Sequence, residues 1–550
     1  MDTFVSKLWT NVTRDLYVYG IQKSHSQRLN QDFGLLVSYA AISIALLSYV
    51  LNAVLQWHHS IKAPVAGRRH FWEPAWVTGL RFARNSSTIL RDGYEKFGQS
   101  VFKVRRNDCE VTVIPPRYVD ELRDLKSHKL SATDAHVKNM VAEYTIGNVD
   151  LVRNSDLHRR VVSQRLTPTL GNLLPVVINE LKFAFQKEIP PCEDWTAVRI
   201  HGVMVNVVAR IFARLFVGPN LCRNDEWLQI SILFTRNLSI TRNILRLLPL
   251  GVRPLAARCL PTYWRIYSQL DAAEQLLGPI IQERRDAAAR LGSNHVKPDD
   301  FLQWMMDDAR QDEGSIRDLA HRQLLLSLAS VHTTSLRVTH FFLDLCAFPE
   351  YLEPLRVETR SVLREDGGIR KTTLNKLHKL DSFLKESQRM HPMLALTFQR
   401  VVKQQLTLKD GLKLPKGTHI AVAAEAIGRD PAVMPDGGDP NIFDPFRYAR
   451  LREDPDKPEN INRYQFATKS SADMHFGHGL DACPGRFFAS NEIKLILVFS
   501  LLRYDFDYPK GQKRPRSFCY DESMVPDTNT QVLVRRRQVE QDLRHIIETI

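Results

Sequence analysis

Apolar and polar positions along this chain alternate mostly with helical spacing, interrupted by a few short strand-like runs. The longest apolar helical pattern spans 315–348 and stops at Pro349, which cannot continue a helix. A second, from 486 to about 502, is apolar enough to be a buried helix, with Pro484 suited to its first position. Short strands are expected at 101–105 and 110–114, with Asn107-Asp108 turning between them. Further strands are expected at 396–401 and across 406–422, around turns at Asp410-Gly411 and Pro415-Lys416-Gly417. The middle of the chain up to about 310 reads as helices broken by Pro168, Pro190-Pro191, Pro249, Pro254 and Pro261. A strand at 531–537 and a helical tail to Ile550 close the chain. The pattern predicts a mainly α fold with a small β region.

One run stands apart. Residues 33–57 carry no charged side chain, and their apolar centre at 35–55 is long enough as a helix to reach about 30 Å, the hydrocarbon thickness of a bilayer. It begins too late and runs too long for a cleaved signal peptide, so a single transmembrane helix is expected there. Residues 1–32 then form a short N-terminal segment, and 58–70, with Ala63-Pro64-Val65-Ala66-Gly67, a hinge. Basic residues flank the span on both sides (Arg14, Lys23 and Arg28 before it; Lys62, Arg68 and Arg69 after), so charge does not orient it. Three glycosylation sequons, at Asn11, Asn85 and Asn237, lie on its two sides and make an internal reporter of orientation.

Charge changes the picture little. The 75 basic and 61 acidic residues leave +14, which suits an anionic membrane surface or an acidic protein partner. Neither zinc-finger spacing nor a dense Lys/Arg block accompanies it, which argues against nucleic acid. Seven scattered cysteines, an odd number, argue against a disulfide framework and for a reducing compartment.

The chemistry concentrates in Phe476-Gly477-His478-Gly479-Leu480-Asp481-Ala482-Cys483-Pro484-Gly485-Arg486, which reads F-x-x-G-x-x-x-C-x-G. A glycine-bent loop presents one cysteine at a helix N-terminus, where free N–H groups and the dipole favour an anion. Gly479 and Gly485 allow the close backbone approach that a flat cofactor on the sulfur requires. This loop resembles the haem-binding signature of the cytochrome P450 family, the haem-thiolate monooxygenases. In that family the thiolate is the axial ligand that favours O–O cleavage.

The resemblance extends, in the family's order, to three further stretches. Ala329-Ser330-Val331-His332-Thr333-Thr334 resembles the oxygen-binding motif, with Ser330 in place of a glycine and His332 in place of an acid. On their own, such helix hydroxyls bond to carbonyls four residues earlier. The resemblance implies that Thr333 serves oxygen activation, with Thr334 and His332 as lesser candidates. This variant looks like that of filamentous-fungal, ent-kaurene-oxidase-like members. Glu386 and Arg389, three apart on one helix face, resemble the family's E-x-x-R pair, and Arg447 in Phe443-Asp444-Pro445-Phe446-Arg447 is the implied third member. These three are structural. Arg400 stands where members often pair a haem propionate, and His158, Arg159 or Arg160 on an earlier helix could share that charge. The loop has Leu480 and Asp481 where a basic residue is common.

The resemblance implies a cytochrome P450 fold over 71–537, a C-terminal tail at 538–550, and haem b held by Cys483, with Phe476, Gly479, Gly485 and Arg400 around it. It implies electrons from NADPH through a separate reductase. It also implies a lipophilic substrate, such as a terpenoid or related secondary metabolite, and an endoplasmic-reticulum anchor with the catalytic body in the cytosol. Two alternatives stay open: a haem-thiolate isomerase or dehydratase needing no reductase, for which Ser330 and His332 are the only support, and a non-catalytic haem-binding sensor.

Overall fold

The computed structural model describes residues 61–310 and 312–540, together with helical positions Leu36, Tyr39, Ala40, Ser43, Leu47 and Leu51. The chain divides into two units, Met1–Lys62 and Ala63–Ile550. In the first, those helical positions are exposed. The rest of the predicted span at 33–57 lies outside the described residues, among which no helix is long and apolar enough to cross a membrane. The last ten residues of the expected tail also lie outside them.

The second unit is mainly helical with small sheets, as the patterning predicts. Its labelled helices are α1 (Ala75–Phe97), α2 (Thr167–Glu188), α3 (Ile200–Phe216), α4 (Asp225–Leu247), α5 (Pro261–Leu291), α6 (Ile316–Ala347), α7 (His378–Met390) and α8 (Arg486–Arg503). The main sheet uses β1 (Phe102–Arg105), β2 (Glu110–Val113), β3 (Thr397–Val402) and β4 (His419–Val422), edged by the two-residue strands Val65–Ala66 and Leu130–Ser131. β1 and β2 form the expected hairpin, paired Phe102 to Val113 through Arg105 to Glu110. Val65–Ala66, inside the predicted hinge, pairs parallel with β1, so the sheet begins before residue 71.

The strands expected across 406–422 are three, Leu406–Thr407, Lys413–Leu414 and β4, broken at the two expected turns. The cause is local. Gly411 sits at φ +87°, so the first two pieces fold on each other as a miniature hairpin before β4 joins the main sheet. Gln531–Arg536 forms the expected closing strand, antiparallel to Tyr504–Asp507 and to Thr196–Arg199.

α6 is the axis of the helical layer. Ser315 caps it, its hydroxyl accepting from the Asp318 N–H, and it packs against α3, α4, α5, α7 and α8. Buried side chains surround it on most faces, including Leu319, Leu324, Val331, Val338, Phe341 and Phe342. Phe341 lies 4.7 Å from Phe383 of α7. α8 is equally buried, from Ile493 through Leu501. Its helical residues begin at Arg486, so Pro484 belongs to the turn ahead of the helix rather than to its first position.

Candidate active site

The cysteine loop is held from several directions. The Cys483 N–H donates to the Phe476 carbonyl at 2.7 Å, closing the loop on itself. The Phe476 ring meets Phe466 edge-on at 5.3 Å. Gly479 lies at φ +72°, and a Cβ there would fall 2.1 Å from the Arg123 carbonyl oxygen. Its bareness therefore serves the packing of the loop on the 119–123 segment, where the Leu480 N–H donates to that same oxygen at 3.2 Å. At Gly485 an added Cβ would touch only Val162, at 3.8 Å.

Burial pushes the Cys483 thiol up, and the N–H groups of Gly485 and Arg486, with the Arg486 charge, pull the other way. The sequence leads one to expect the helix N-terminus to win; in the free thiol burial outweighs it. Metal coordination removes that proton outright, after which the same N–H groups face a thiolate.

Within the buried length of α6, Ala329 and Thr333 are exposed one turn apart, so this stripe lines an opening. The Thr333 hydroxyl donates to the Ala329 carbonyl at 2.8 Å and lies 3.1 Å from that of Ser330. Ser330 donates to the Leu326 carbonyl at 2.7 Å. Thr334 is buried on another face. His332 also points elsewhere, its Nε2 lying 3.2 Å from the Ile232 carbonyl of α4.

Glu386, Arg389 and Arg447 come together as the resemblance implies. Glu386 is fully buried and accepts two hydrogen bonds from Arg389, at 2.8 and 2.7 Å, and one from the Asp444 N–H at 3.1 Å. Arg389 also donates to the carbonyls of Gly428 and Pro440. Arg447 Nε lies 3.7 Å from Glu386, and its other end grips Asp436 at 2.6 Å. The group ties the end of α7 to the 428–447 segment.

Asp481 of the loop draws two cations to itself. Arg400 Nε lies 3.4 Å from one carboxylate oxygen and Arg159 donates to the other at 3.2 Å. Arg400 is buried and stacks over Phe398 at 4.5 Å. Of the earlier-helix candidates only Arg159 reaches the loop. His158 meets Arg322 at 3.4 Å, and Arg160 pairs with Glu313 at 3.2 Å. Residues the sequence reading did not single out complete the rim. Arg123 meets the His478 ring at 3.0 Å, and Lys469 donates to the Gly479 carbonyl at 3.1 Å. Burial is the largest cause lowering the His136 pKa, with Glu522 opposing it and Arg400 and Arg159 pushing the same way. Arg123 and His136 come from distant segments, and nothing in their local sequence marks them.

The donor set fits haem. One cysteine can hold a metal only if the metal brings its other ligands, as a porphyrin does. The cations beside the loop suit porphyrin carboxylates, and the hydroxyl-lined stripe of α6 suits an oxygen-binding face. Fold and site together define a haem-thiolate protein.

The chain belongs to the cytochrome P450 family, whose sequence profile matches residues 71–534, and it is a P450 monooxygenase. The cytochrome P450 monooxygenase AN1598 of Emericella nidulans is 46% identical over 499 residues, covering 90% of this chain and 92% of that protein. The ent-kaurene oxidase P450-4 of Gibberella fujikuroi is 42% identical, covering 91% of this chain and 97% of that protein. A solved retinoic acid-bound cyanobacterial CYP120A1 shares the fold, with a TM-score of 0.62 at 20% identity, over 86% of this chain and 99% of that one.

Proposed function

We propose that this P450 inserts one oxygen atom of O2 into a lipophilic terpenoid or related secondary metabolite, with electrons from NADPH through a separate reductase. The observation that carries the chemistry is the Cys483 loop, closed by the Cys483 N–H bond to Phe476, in which the backbone of Gly485 and Arg486 favours the thiolate. The 42% identity to an ent-kaurene oxidase over nearly the whole chain supports the substrate class. When bound, the haem supplies the iron chemistry for R–H + O2 + 2 e⁻ + 2 H⁺ → R–OH + H2O. Cys483 would hold it, with Arg400, Arg159 and His136 on its carboxylate side and Phe476 in the supporting loop. Ent-kaurene is the first substrate to try. With reductase, NADPH and ¹⁸O₂, the product should carry one heavy oxygen; conversion without NADPH or without label would mean isomerase or dehydratase chemistry.

Thr333 offers a hydroxyl on the exposed stripe of α6, able to turn from the Ala329 carbonyl toward the opening and hand over a proton. In Thr333→Val the volume is kept and the hydroxyl lost. NADPH should still be consumed while product per NADPH falls by about tenfold or more and peroxide appears. An unchanged product yield would remove Thr333 from proton delivery.

The proposed location is the endoplasmic-reticulum membrane, single-pass, with the catalytic unit in the cytosol. Asn237 cannot report on this as the sequence alone suggests. It is 7% exposed and its amide donates to Gln269 at 3.2 Å, which leaves no room for a glycan in the folded unit. Asn85 is exposed, at a break in α1 with φ −137°, and is the usable reporter on that side; Asn11 lies outside the described residues. After expression in a host with an endoplasmic reticulum, no endoglycosidase-sensitive mass should map to Asn85. A shift abolished by Asn85→Gln would put the catalytic unit in the lumen.

A further inference from the structure

His332 stands where the family pattern carries an acid, one residue before Thr333, and the structure turns it away from the threonine's stripe. Its Nε2 hydrogen bond ends on the Ile232 carbonyl in the second turn of α4. A main-chain carbonyl does not take up a proton at neutral pH, so a proton leaving Nε2 has no onward path there. Burial holds the ring below its ordinary pKa and therefore neutral, with the Ile232 bond opposing. The nearby His201 of α3 is also pushed down, to about 4, first by burial and then by His332. His201 is itself engaged with the Thr339 hydroxyl at 3.2 Å, two turns along α6 from His332 on the same face. Two neutral imidazoles thus sit among α3, α4 and α6 in hydrogen bonds to packing partners.

α4 is a helix with something to position. Beside Ile232 it carries partly exposed apolar side chains at Leu233, Ile240, Ile244 and Leu247, spaced along one stripe. Its Ser231, Phe234, Thr235 and Leu238 are buried. A neutral donor reaching the backbone of this helix fixes its distance from α6 without placing a charge in the interior.

We infer that His332 is a positioning residue that pins α4 to α6 and so sets the space available to an apolar substrate beside Thr333, and that it is not the proton carrier its motif position implies. This rests on the monooxygenase reading, and the two fail differently. The reduced carbon monoxide spectrum of the wild-type holoenzyme tests the haem-thiolate assignment alone.

The test compares His332→Leu, which loses the donor, with His332→Gln, whose amide nitrogen can occupy the Nε2 position but cannot relay a proton. His332→Phe repeats the donor-less case with a ring should the leucine variant fail to hold haem. Three properties of the holoenzyme are read: hydrogen–deuterium exchange of α4 amides, affinity for clotrimazole by its shift of the haem absorption, and peroxide released per NADPH with reductase. The donor-less variant should exchange faster around Ile232 and bind clotrimazole about three- to tenfold more weakly, the weight of one hydrogen bond. His332→Gln should restore both, and in that variant, which keeps the bond but cannot relay a proton, peroxide per NADPH should stay near the wild-type value. Unchanged α4 exchange and clotrimazole affinity in the donor-less variant would overturn the inference. So would peroxide release that rises about tenfold in the leucine and glutamine variants alike, because that is the behaviour of a lost proton carrier.

Discussion

Cys483→Ala should retain the helical fold and lose haem and turnover together. The sulfur is the one side-chain donor that the loop aims at the site, and methyl in its place leaves nothing to bind iron. The loop itself should survive, since the Cys483 N–H bond to Phe476, the Phe476–Phe466 contact and the Leu480 N–H bond to Arg123 all involve other groups. The far-ultraviolet dichroism should therefore stay near that of wild type while haem per protein falls about tenfold or more, consistent with loss of a metal–ligand bond. Full haem occupancy and full activity in this variant would place the iron ligand elsewhere.

Arg389→Ala should have the opposite character, with fold and haem lost together. The Glu386 carboxylate has no contact with solvent, and Arg389 supplies two of its hydrogen bonds. Arg447 at 3.7 Å is too far to replace them and is already committed to Asp436. Removing the guanidinium strands a buried charge at about 3–5 kcal/mol, a large part of the roughly 5–15 kcal/mol that keeps a domain folded. The carbonyls of Gly428 and Pro440 lose donors at the same time. Arg389→Lys should rescue only weakly, because an ammonium cannot make the two-pronged contact. The expected readout is little soluble haem protein and a lowered melting temperature. A soluble variant that melts like wild type and holds haem would show the pair to be a minor contact.

Much of this was legible in the order of residues, and the parts that were not share a cause. The limits of α6 could be read because Ser315 caps it and Pro349 follows it, both local signals. The cysteine loop and the Glu386–Arg389 pair could be read because each is a short-range pattern with few alternatives. The breaks within 406–422 could be read for the same reason, since Asp410-Gly411 marks the turn across which Leu406–Thr407 pairs with Lys413–Leu414. Asn237 reads as a surface sequon, and only packing of α4 against α5, with Gln269 taking its amide, shows it to be interior. Motif position made His332 a lesser candidate for oxygen activation; its rotation about α6 and the reach to Ile232 are properties of helix packing. The basic residues beside the loop were legible only in part: Arg400 and Arg159 were among the candidates, and Arg123 and His136 were not. Asp481 stands where a basic residue is common, and Arg159, Arg123 and His136 come to its neighbourhood from segments more than three hundred residues earlier.

The Ser330 hydroxyl deserves the same reading as Thr333. Both now donate back to carbonyls of their own helix, at 2.7 and 2.8 Å, which is the ordinary state of a helix hydroxyl. What separates them is exposure: Thr333 opens onto the stripe shared with Ala329, and Ser330 is only half so. That difference, rather than motif position, is the reason to assign the proton-handling role to Thr333 first.

The most direct measurement is the carbon monoxide difference spectrum of the reduced, purified full-length chain. A Soret band at the long wavelength of a thiolate-ligated haem, absent from Cys483→Ala prepared alongside, is the predicted result. A wild-type band at the shorter wavelength of histidine-ligated haem, or a long-wavelength band that survives in Cys483→Ala, would contradict it.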